Sequence, residues 1–278
     1  MELALPTIRI NNCNLYYETR GNDQNPPVVL LHAFPLDHNV WRPQAEELSK
    51  EYWVITPDFR GHGQSEATDE SYSMDLLASD IKDLVENLGV KNIVLGGISM
   101  GGYVAFAYRR LFPEDIQALI LVDTKAEADT PQARLGRMEM AGLVVRKGVA
   151  SFADRMLPRL FSKQSVETNA SIVKDARKTI EAMSPIGIIG GLKGLADRSD
   201  STPLLDEIRV PTLIIVGERD ELTTVDDAKR IASRIVGSKL VIVPNAGHIS
   251  TLEQPEKVTS AIQTFLRGIQ LQQRASPV

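Results

Sequence analysis

Short apolar runs alternate with longer segments of helical periodicity along most of this chain. Strands that are buried on both faces read as continuous apolar runs, and long helical connections between them are typical of parallel sheets. The alternation therefore predicts an α/β fold, a mostly parallel sheet with helices on both faces. The runs that predict strands are VVLLH (28–32), WVITPD (53–58), NIVLGG (92–97), ALILVD (118–123), TLIIVG (212–217) and KLVIVP (239–244).

Two more elements are indicated near the start of the chain. TIRINNCNLYYE (7–18) has two β-rich arms around Asn11 and Asn12, and asparagine tolerates the positive φ of a type I′ turn, so we predict a β-hairpin there. DLLASDIKDLVENLG (75–89) places its apolar residues on one helical face, and Gly89 supplies a helix stop. Residues 255–269 show the same helical periodicity.

The alternation breaks after ALILVD (118–123), which is the sixth predicted strand when the two arms of the hairpin are counted. No strand is indicated between about 125 and 202, whereas four segments are helix-like: RLGRMEMAGLVV, ASFADRMLPRL, NASIVKDARKTIEAM and PIGIIGGLKGLADR. We predict a helical cap over the strand ends, which divides the chain into a core of 1–124, a cap of 125–203 and a second core segment of 204–278. The methionines in the cap are more typical of packing than of a cofactor site.

Composition limits the possible functions. A formal net charge of −5 offers no broad basic surface, so nucleic-acid binding is not expected. MELALPTIRI has neither the basic region nor the apolar core of a signal peptide, and no apolar run is long enough to span a membrane, which predicts a cytoplasmic protein. Cys13 is the single cysteine, and no Cys/His cluster has zinc-ligand spacing, so neither a disulfide nor a metal is expected.

The most informative local motif is GGISMGG (96–102), at the junction of a predicted strand and a predicted helix. A sharp turn from strand to helix strains the central residue and brings the positions two before and two after it close together. Gly97 and Gly101 leave room for that approach. The turn would lift the hydroxyl of Ser99 clear of the sheet, which makes Ser99 the candidate nucleophile.

A serine nucleophile needs a base within hydrogen-bond reach, usually a histidine oriented by a carboxylate. Ligands of open α/β sheets bind beyond the carboxyl ends of the strands. His248 follows the last predicted strand, whereas His32 and His62 lie in early loops and His38 lies in a polar stretch, so His248 is the candidate base.

The same rule offers two candidates for the carboxylate. Asp220 follows the strand before the last, and Asp123 holds the equivalent place one strand earlier. We favour Asp220 and keep Asp123 as the alternative. The order Ser, Asp, His is that of hydrolases with this type of turn.

Acyl transfer also needs two donors for the negative charge that develops on the carbonyl oxygen. The amide of Met100, next to the nucleophile, is the first candidate. The amide of Phe34, in the loop after the strand 28–32, is the second.

These motifs resemble those of the α/β-hydrolase superfamily, and specifically its capped bacterial serine esterases and lactonases, such as 3-oxoadipate enol-lactonases and cofactor-free haloperoxidases. The similarity covers nearly the whole chain through LLHAFPLD, DFRGHGQS, GGISMGGY, ALILVDT, VPTLIIVGERD and NAGHIS. It implies Ser99, Asp220 and His248 as a catalytic triad and Phe34 and Met100 as oxyanion donors. Ala33 departs from the glycine that many members carry, and alanine restricts positive φ, which bears on the direction of the Phe34 amide.

The predicted activity is hydrolysis of a carboxylic ester or lactone, a small-molecule substrate, through an acyl-enzyme without any cofactor. Perhydrolysis could accompany it. Serine rather than aspartate at the nucleophile position argues against dehalogenases and epoxide hydrolases. Two alternatives stay open: hydrolysis of a carbon–carbon bond in a dienoic diketone, and a small-molecule receptor without turnover. The oligomeric state is not indicated.

For the substrate pocket we expect an apolar lining from the cap. A carboxylated lactone would also need a cation, for which Lys125 or Arg137 is available, and the alternative that we favour for each of them is a solvated surface charge. The expected apolar lining residues are Met138, Met140, Leu143, Leu157, Phe161, Met183 and Ile186.

Overall fold

The computed structural model describes residues 6–275, and their side chains as far as 269. Its centre is an eight-stranded sheet with the order β1-β2-β4-β3-β5-β6-β7-β8. The strands are β1 (Thr7–Ile10), β2 (Cys13–Arg20), β3 (Pro27–Leu31), β4 (Trp53–Pro57), β5 (Ile93–Ile98), β6 (Ile116–Val122), β7 (Thr212–Gly217) and β8 (Lys239–Val243).

The first two strands form the predicted hairpin. β1 pairs with β2 in antiparallel register, with Ile10 opposite Cys13. Asn11 and Asn12 between them have φ values of 46° and 60°. Positive φ at both central residues is what a type I′ turn requires, so this prediction is confirmed.

In the row β4-β3-β5-β6-β7-β8, each pair of neighbouring strands is parallel. β2 joins this row antiparallel to β4. Every residue of β5 and of β7 is buried. Because successive side chains of a strand point to opposite faces, burial of all of them requires cover on both faces of the sheet. The predicted α/β fold, with helices on both faces of a mostly parallel sheet, is confirmed.

The helices between the core strands follow the predicted pattern. The core helices are α1 (Arg42–Leu48), α2 (Met74–Asn87), α3 (Met100–Leu111), α9 (Val225–Arg234), α10 (Ser250–Glu253) and α11 (Pro255–Ala275). Ser73 accepts a hydrogen bond from the amide of Leu76 and begins α2, and Gly89, with φ of 70°, follows its end. Helix α2 packs against α3, and α1 packs against α11.

Five helices occupy the connection between β6 and β7. The first is interrupted at Gly148, whose φ of 77° and ψ of 176° are not helical, so its two arms correspond to the first two helical segments predicted for the cap. The arms pack against the third and fourth helices of the connection. The domain boundaries at 125 and 203 stay a prediction. The helices are α4 (Pro131–Leu160), α5 (Lys163–Thr168), α6 (Ala170–Ala182), α7 (Pro185–Ala196) and α8 (Thr202–Leu205).

None of the helices within residues 6–275 combines the length and the apolar character needed to cross a membrane.

A buried ion-pair network ties the two ends of this helical connection together. Asp129, just before α4, contacts the guanidinium groups of Arg137 and Arg198, and the side chains of Asp129 and Arg198 are almost fully buried. Arg198, just after α7, also donates to the carbonyl of Glu127 at 2.9 Å and lies over the ring of Tyr103 in α3, 4.3 Å from its centre. The network therefore fixes the connection to the core.

Replacement of Arg198 by methionine should destabilise the protein substantially. The buried Asp129 carboxylate would lose one of its two cations and the Glu127 carbonyl its donor, so we expect the free energy of unfolding to fall by about 3 kcal/mol in urea titrations. The matched control is Arg134→Met, which breaks a largely exposed pair with Asp197 and should cost less than about 1 kcal/mol. Equal losses in the two variants would contradict this role of the network.

Candidate active site

Ser99 lies in a strained turn between β5 and α3. Its φ of 53° and ψ of −112° place a non-glycine residue in a rarely populated backbone region. A Cβ atom on Gly97 would lie 2.2 Å from the carbonyl oxygen of Gly101, and one on Gly101 would lie 2.3 Å from the carbonyl oxygen of Leu31. Both positions therefore exclude a side chain, as the sequence predicts, and the backbone closes tightly around the serine.

His248 lies in the loop after β8 and reaches Ser99 across 149 residues of sequence. Its Nε2 is 2.8 Å from Ser99 Oγ, so the hydroxyl donates to the imidazole. Both side chains are buried, with 9% of Ser99 and 3% of His248 exposed. The small exposed fraction of Ser99 faces the cavity described below. The sequence-predicted serine and histidine are thus brought into direct contact.

Asp220, in the loop after β7, lies on the other side of the imidazole. The Nδ1 of His248 is 2.8 Å from Asp220 Oδ2. The hydroxyl of Thr223 donates to Oδ2 at 2.6 Å, and the amides of Leu222 and Thr223 donate to Oδ1 at 2.8 and 3.0 Å. These donors fix the carboxylate in one orientation against the histidine.

The environment favours the charged form of each of these two groups. Burial alone would raise the pKa of Asp220, but the charge of His248 and the hydrogen bonds from His248 and Thr223 lower that pKa below its usual value. Burial would likewise lower the pKa of His248, but the Asp220 carboxylate outweighs it and raises that pKa above the usual imidazole value. An imidazolium formed at His248 is therefore stabilised.

Asp123, the alternative acid, has a different set of partners. Its Oδ1 accepts from the amide of Gly217 at 2.7 Å, and its Oδ2 accepts from the amide of Ser250 at 3.1 Å and contacts the Ser250 hydroxyl at 2.6 Å. Burial and then the Asp220 charge raise the pKa of Asp123 to about 8. It connects the end of β7 to the loop that carries His248, while Asp220 takes the place beside the imidazole.

The three other histidines are engaged elsewhere. His32 accepts a hydrogen bond from the amide of Phe59 at 2.9 Å, His38 pairs with Asp58 at 2.8 Å, and His62 is buried with its Nδ1 2.9 Å from the Arg60 carbonyl. None of these three lines the cavity at Ser99.

Two backbone amides remain available near the serine. Met100 is the first residue of α3, where the amide has no partner within the helix. Within residues 6–275, neither the Met100 nor the Phe34 amide donates to a protein acceptor. Both residues line the cavity that contains Ser99 and His248. Ala33 does not adopt positive φ, so alanine fits that position without strain.

The cavity above Ser99 has a volume of about 880 Å³. The segment between β6 and β7 contributes much of its wall. Four expected residues do line it, namely Lys125, Arg137, Met140 and Leu143.

Other expected lining residues lie elsewhere. Met138 and Ile186 are 43% and 46% exposed and do not line the cavity, and neither do Leu157 and Phe161, which are buried in the core. Met183 is also buried in the core. These predictions were wrong because helices of the connection bury apolar residues against one another as well as against the cavity.

The sequence reasoning also missed part of the wall. On the second arm of α4, Met156 and Leu160 face the cavity in place of Leu157 and Phe161, together with the charged neighbours Arg155 and Arg159. The i, i+4 spacing of each pair places its two members on one side of the helix, but Leu157 and Phe161 have the same spacing, so the sequence holds no signal that decides which pair faces the cavity. Further cavity residues that were not predicted include Tyr103, Arg146, Leu192, Leu195 and Leu222.

Within the described part of the chain, no group of three or more His, Cys, Asp or Glu side chains is arranged to hold a metal ion.

The tight turn at Ser99 gives a direct stability test. Gly97→Ala would force a methyl group against the backbone of Gly101, so the free energy of unfolding should fall by about 1–3 kcal/mol in denaturant titrations. Gly268→Ala in α11 is the control: its Cβ would meet only the tip of Lys239 at 4.0 Å, and we expect unchanged or slightly higher stability. A Gly97→Ala protein as stable as the wild type would contradict the close approach.

Comparison with known proteins places this geometry in a family. A family model described as the alpha/beta hydrolase fold matches residues 26–255. 3-Oxoadipate enol-lactonase 2 of Acinetobacter baylyi is 30% identical over 94% of this chain and 96% of its own length.

Two solved structures are similar over nearly the whole chain. A thermophilic esterase from Thermogutta terrifontis, determined with malate bound, has 38% identity and a TM-score of 0.90 over 95% of this chain and 97% of its own. The enol-lactonase from Burkholderia xenovorans LB400 has 28% identity and a TM-score of 0.89 over 94% of this chain and 100% of its own. The resemblance inferred from the motifs is confirmed, and the chain is a member of the α/β-hydrolase family.

Proposed function

We propose that this protein is a serine hydrolase that cleaves carboxylic esters or lactones through an acyl-enzyme. The observation that carries the proposal is the pair of 2.8 Å contacts that link Ser99 to His248 and His248 to Asp220. Family membership supports a hydrolase, and the similarity to an enol-lactonase and an esterase supports carboxylic esters as the class of substrate.

In the proposed first step, Ser99 Oγ attacks the carbonyl carbon of the substrate while His248 Nε2 accepts the hydroxyl proton. Asp220 holds the imidazole with Nδ1 protonated and stabilises the imidazolium that forms. Collapse of the tetrahedral intermediate transfers this proton to the departing alcohol oxygen. The acyl group is then bonded to Ser99.

The negative charge on the former carbonyl oxygen is stabilised by the amides of Phe34 and Met100. Backbone donors fixed before the reaction need no reorganisation as that charge develops, which makes this a large contribution to catalysis. Their lack of protein acceptors and their place in the cavity wall support this role.

Hydrolysis of the acyl-enzyme repeats the chemistry with water. His248 takes a proton from the water that attacks the acyl carbon. As the acid product departs, His248 returns this proton to Ser99 Oγ. The substrate is a small molecule, and the helical connection between β6 and β7 serves as the cap that encloses its acyl group.

Substitution of the nucleophile tests the mechanism directly. Ser99→Ala should lower kcat by more than about a thousandfold, both on p-nitrophenyl esters from acetate to decanoate and on 3-oxoadipate enol-lactone. Among the described residues, no other hydroxyl is hydrogen-bonded to His248 Nε2. The control is Ser233→Ala on the exposed surface, which should retain wild-type kcat. A folded Ser99→Ala protein that keeps more than about a thousandth of the rate would exclude Ser99 as nucleophile.

The pH dependence of kcat/KM tests the roles of the histidine and the aspartate. His248 must be neutral to act as base, so activity should rise with pH through a pKa above the usual imidazole value. Asp220→Asn removes the charge that raises this pKa, so the acid limb should move to lower pH, and kcat should fall by about 10⁴-fold. The exposed Asp154→Asn serves as the charge-matched control. An acid limb that stays in place in the Asp220→Asn protein would contradict the proposed pair.

A further inference from the structure

The cavity above Ser99 is lined by an excess of positive charge, although the whole chain carries a formal net charge of −5. A cleft lined by one sign of charge concentrates ligands of the opposite sign, even on a protein with the same overall sign as the ligand. The cavity thus has a charge preference that the composition of the chain does not reveal. Its cations are Lys125, Arg137, Arg146, Arg155 and Arg159, and its acids are Asp129 and Glu139.

Part of this charge is already neutralised within the protein. Arg137 pairs with Asp129, which also contacts Arg198 in the buried network at the ends of the connection. Arg137, which the sequence offered as a possible substrate contact, therefore has a structural partner. Its charge is not free for a ligand.

The remaining four cations of the wall have no partner among the described side chains. Among the residues whose side chains the structure describes, none accepts a hydrogen bond from the side chain of Lys125, Arg146, Arg155 or Arg159, and none forms an ion pair with it. Among the described residues of the wall, Glu139 is the one acid besides Asp129, so its single negative charge is all that offsets these four positive charges.

Two of these four cations, Arg155 and Arg159, are neighbours on one helix and together form a candidate anion site. They lie one helical turn apart on the second arm of α4, both are exposed, and Met156 and Leu160 beside them also line the cavity. Like charges four residues apart on a helix repel each other. An anion bound between the two guanidinium groups would remove this repulsion and form charge-assisted hydrogen bonds with both.

We propose that Arg155 and Arg159 bind an ionised carboxylate on the acyl part of the substrate, so that the preferred substrates are half-esters of dicarboxylic acids. This inference rests on the proposed ester hydrolysis at Ser99. The ester carbonyl lies at the buried serine, and the second carboxylate lies at the exposed arginine pair. Met140, Leu143 and Leu192 line the same cavity and contact the hydrocarbon chain between the two groups.

The preference for an anionic substrate is measured as a ratio. The kcat/KM of monoethyl esters from succinate to suberate is divided by that of ethyl esters of monoacids with the same chain length, with ethanol release as the readout. In Arg155→Gln/Arg159→Gln we expect this ratio to fall at least about tenfold, mainly through a higher KM for the half-ester. Lys147→Gln/Lys163→Gln is the matched control, because it removes two exposed cations of the same helical connection outside the cavity, and its ratio should equal that of the wild type.

Three results would overturn the proposal: a wild-type ratio near one at every chain length, an unchanged ratio in the arginine double variant, or equal losses in the two double variants. Ionic strength provides a second measurement on the wild type, which does not depend on any variant folding. Between about 20 and 500 mM NaCl the ratio should fall, because salt screens charges at an exposed site. A ratio independent of salt would also contradict the proposal.

Binding separates this proposal from the proposed catalysis. Calorimetry with monoethyl adipate and the Ser99→Ala protein should give binding that is at least about tenfold weaker when Arg155 and Arg159 are also replaced by glutamine. Equal affinities would overturn the arginine site even if Ser99 is the nucleophile. Hydrolysis that persists in Ser99→Ala would instead overturn the proposal that Ser99 is the nucleophile. The binding measurement would then still test whether Arg155 and Arg159 bind the carboxylate.

Discussion

The site depends on one backbone constraint, the strained turn that joins β5 to α3 at Ser99. A φ of 53° at a non-glycine residue is stable only where the surrounding chain leaves no alternative, and here Gly97 and Gly101 pack backbone against backbone around it. The same turn exposes Ser99 Oγ to the cavity and leaves the amide of Met100 without an acceptor. One local geometry thus supplies the proposed nucleophile and one of the proposed oxyanion donors.

The parallel sheet provides the other groups. β7 and β8 end at the same edge as β5, so the loops after them bring Asp220 and His248 to the serine from distant parts of the sequence. This convergence follows from strand direction alone, which is why both residues could be predicted from their places after apolar runs. The sequence left Asp123 open as an alternative to Asp220, because the two residues follow adjacent strands, and the side-chain contacts distinguish them. Asp123 faces the amides of Gly217 and Ser250 instead of the imidazole.

The wall of the cavity was the part that the sequence predicted least well. In the helices between β6 and β7, apolar residues serve two purposes, since some pack the helices together and others face the cavity. Helical periodicity cannot separate the two, and so Leu157 was expected where Met156 lies, and Met138 was expected beside Met140. The interruption at Gly148 further changes the direction of the second arm of α4, which carries Arg155 and Arg159.

The most direct experiment is to identify the nucleophilic residue by covalent labelling. A fluorophosphonate that modifies activated serines would be reacted with the protein, and intact mass followed by peptide mapping would locate the adduct. We expect one adduct per chain, on Ser99, formed in step with loss of esterase activity. An adduct on another residue, or full loss of activity with Ser99 unmodified, would contradict Ser99 as the nucleophile.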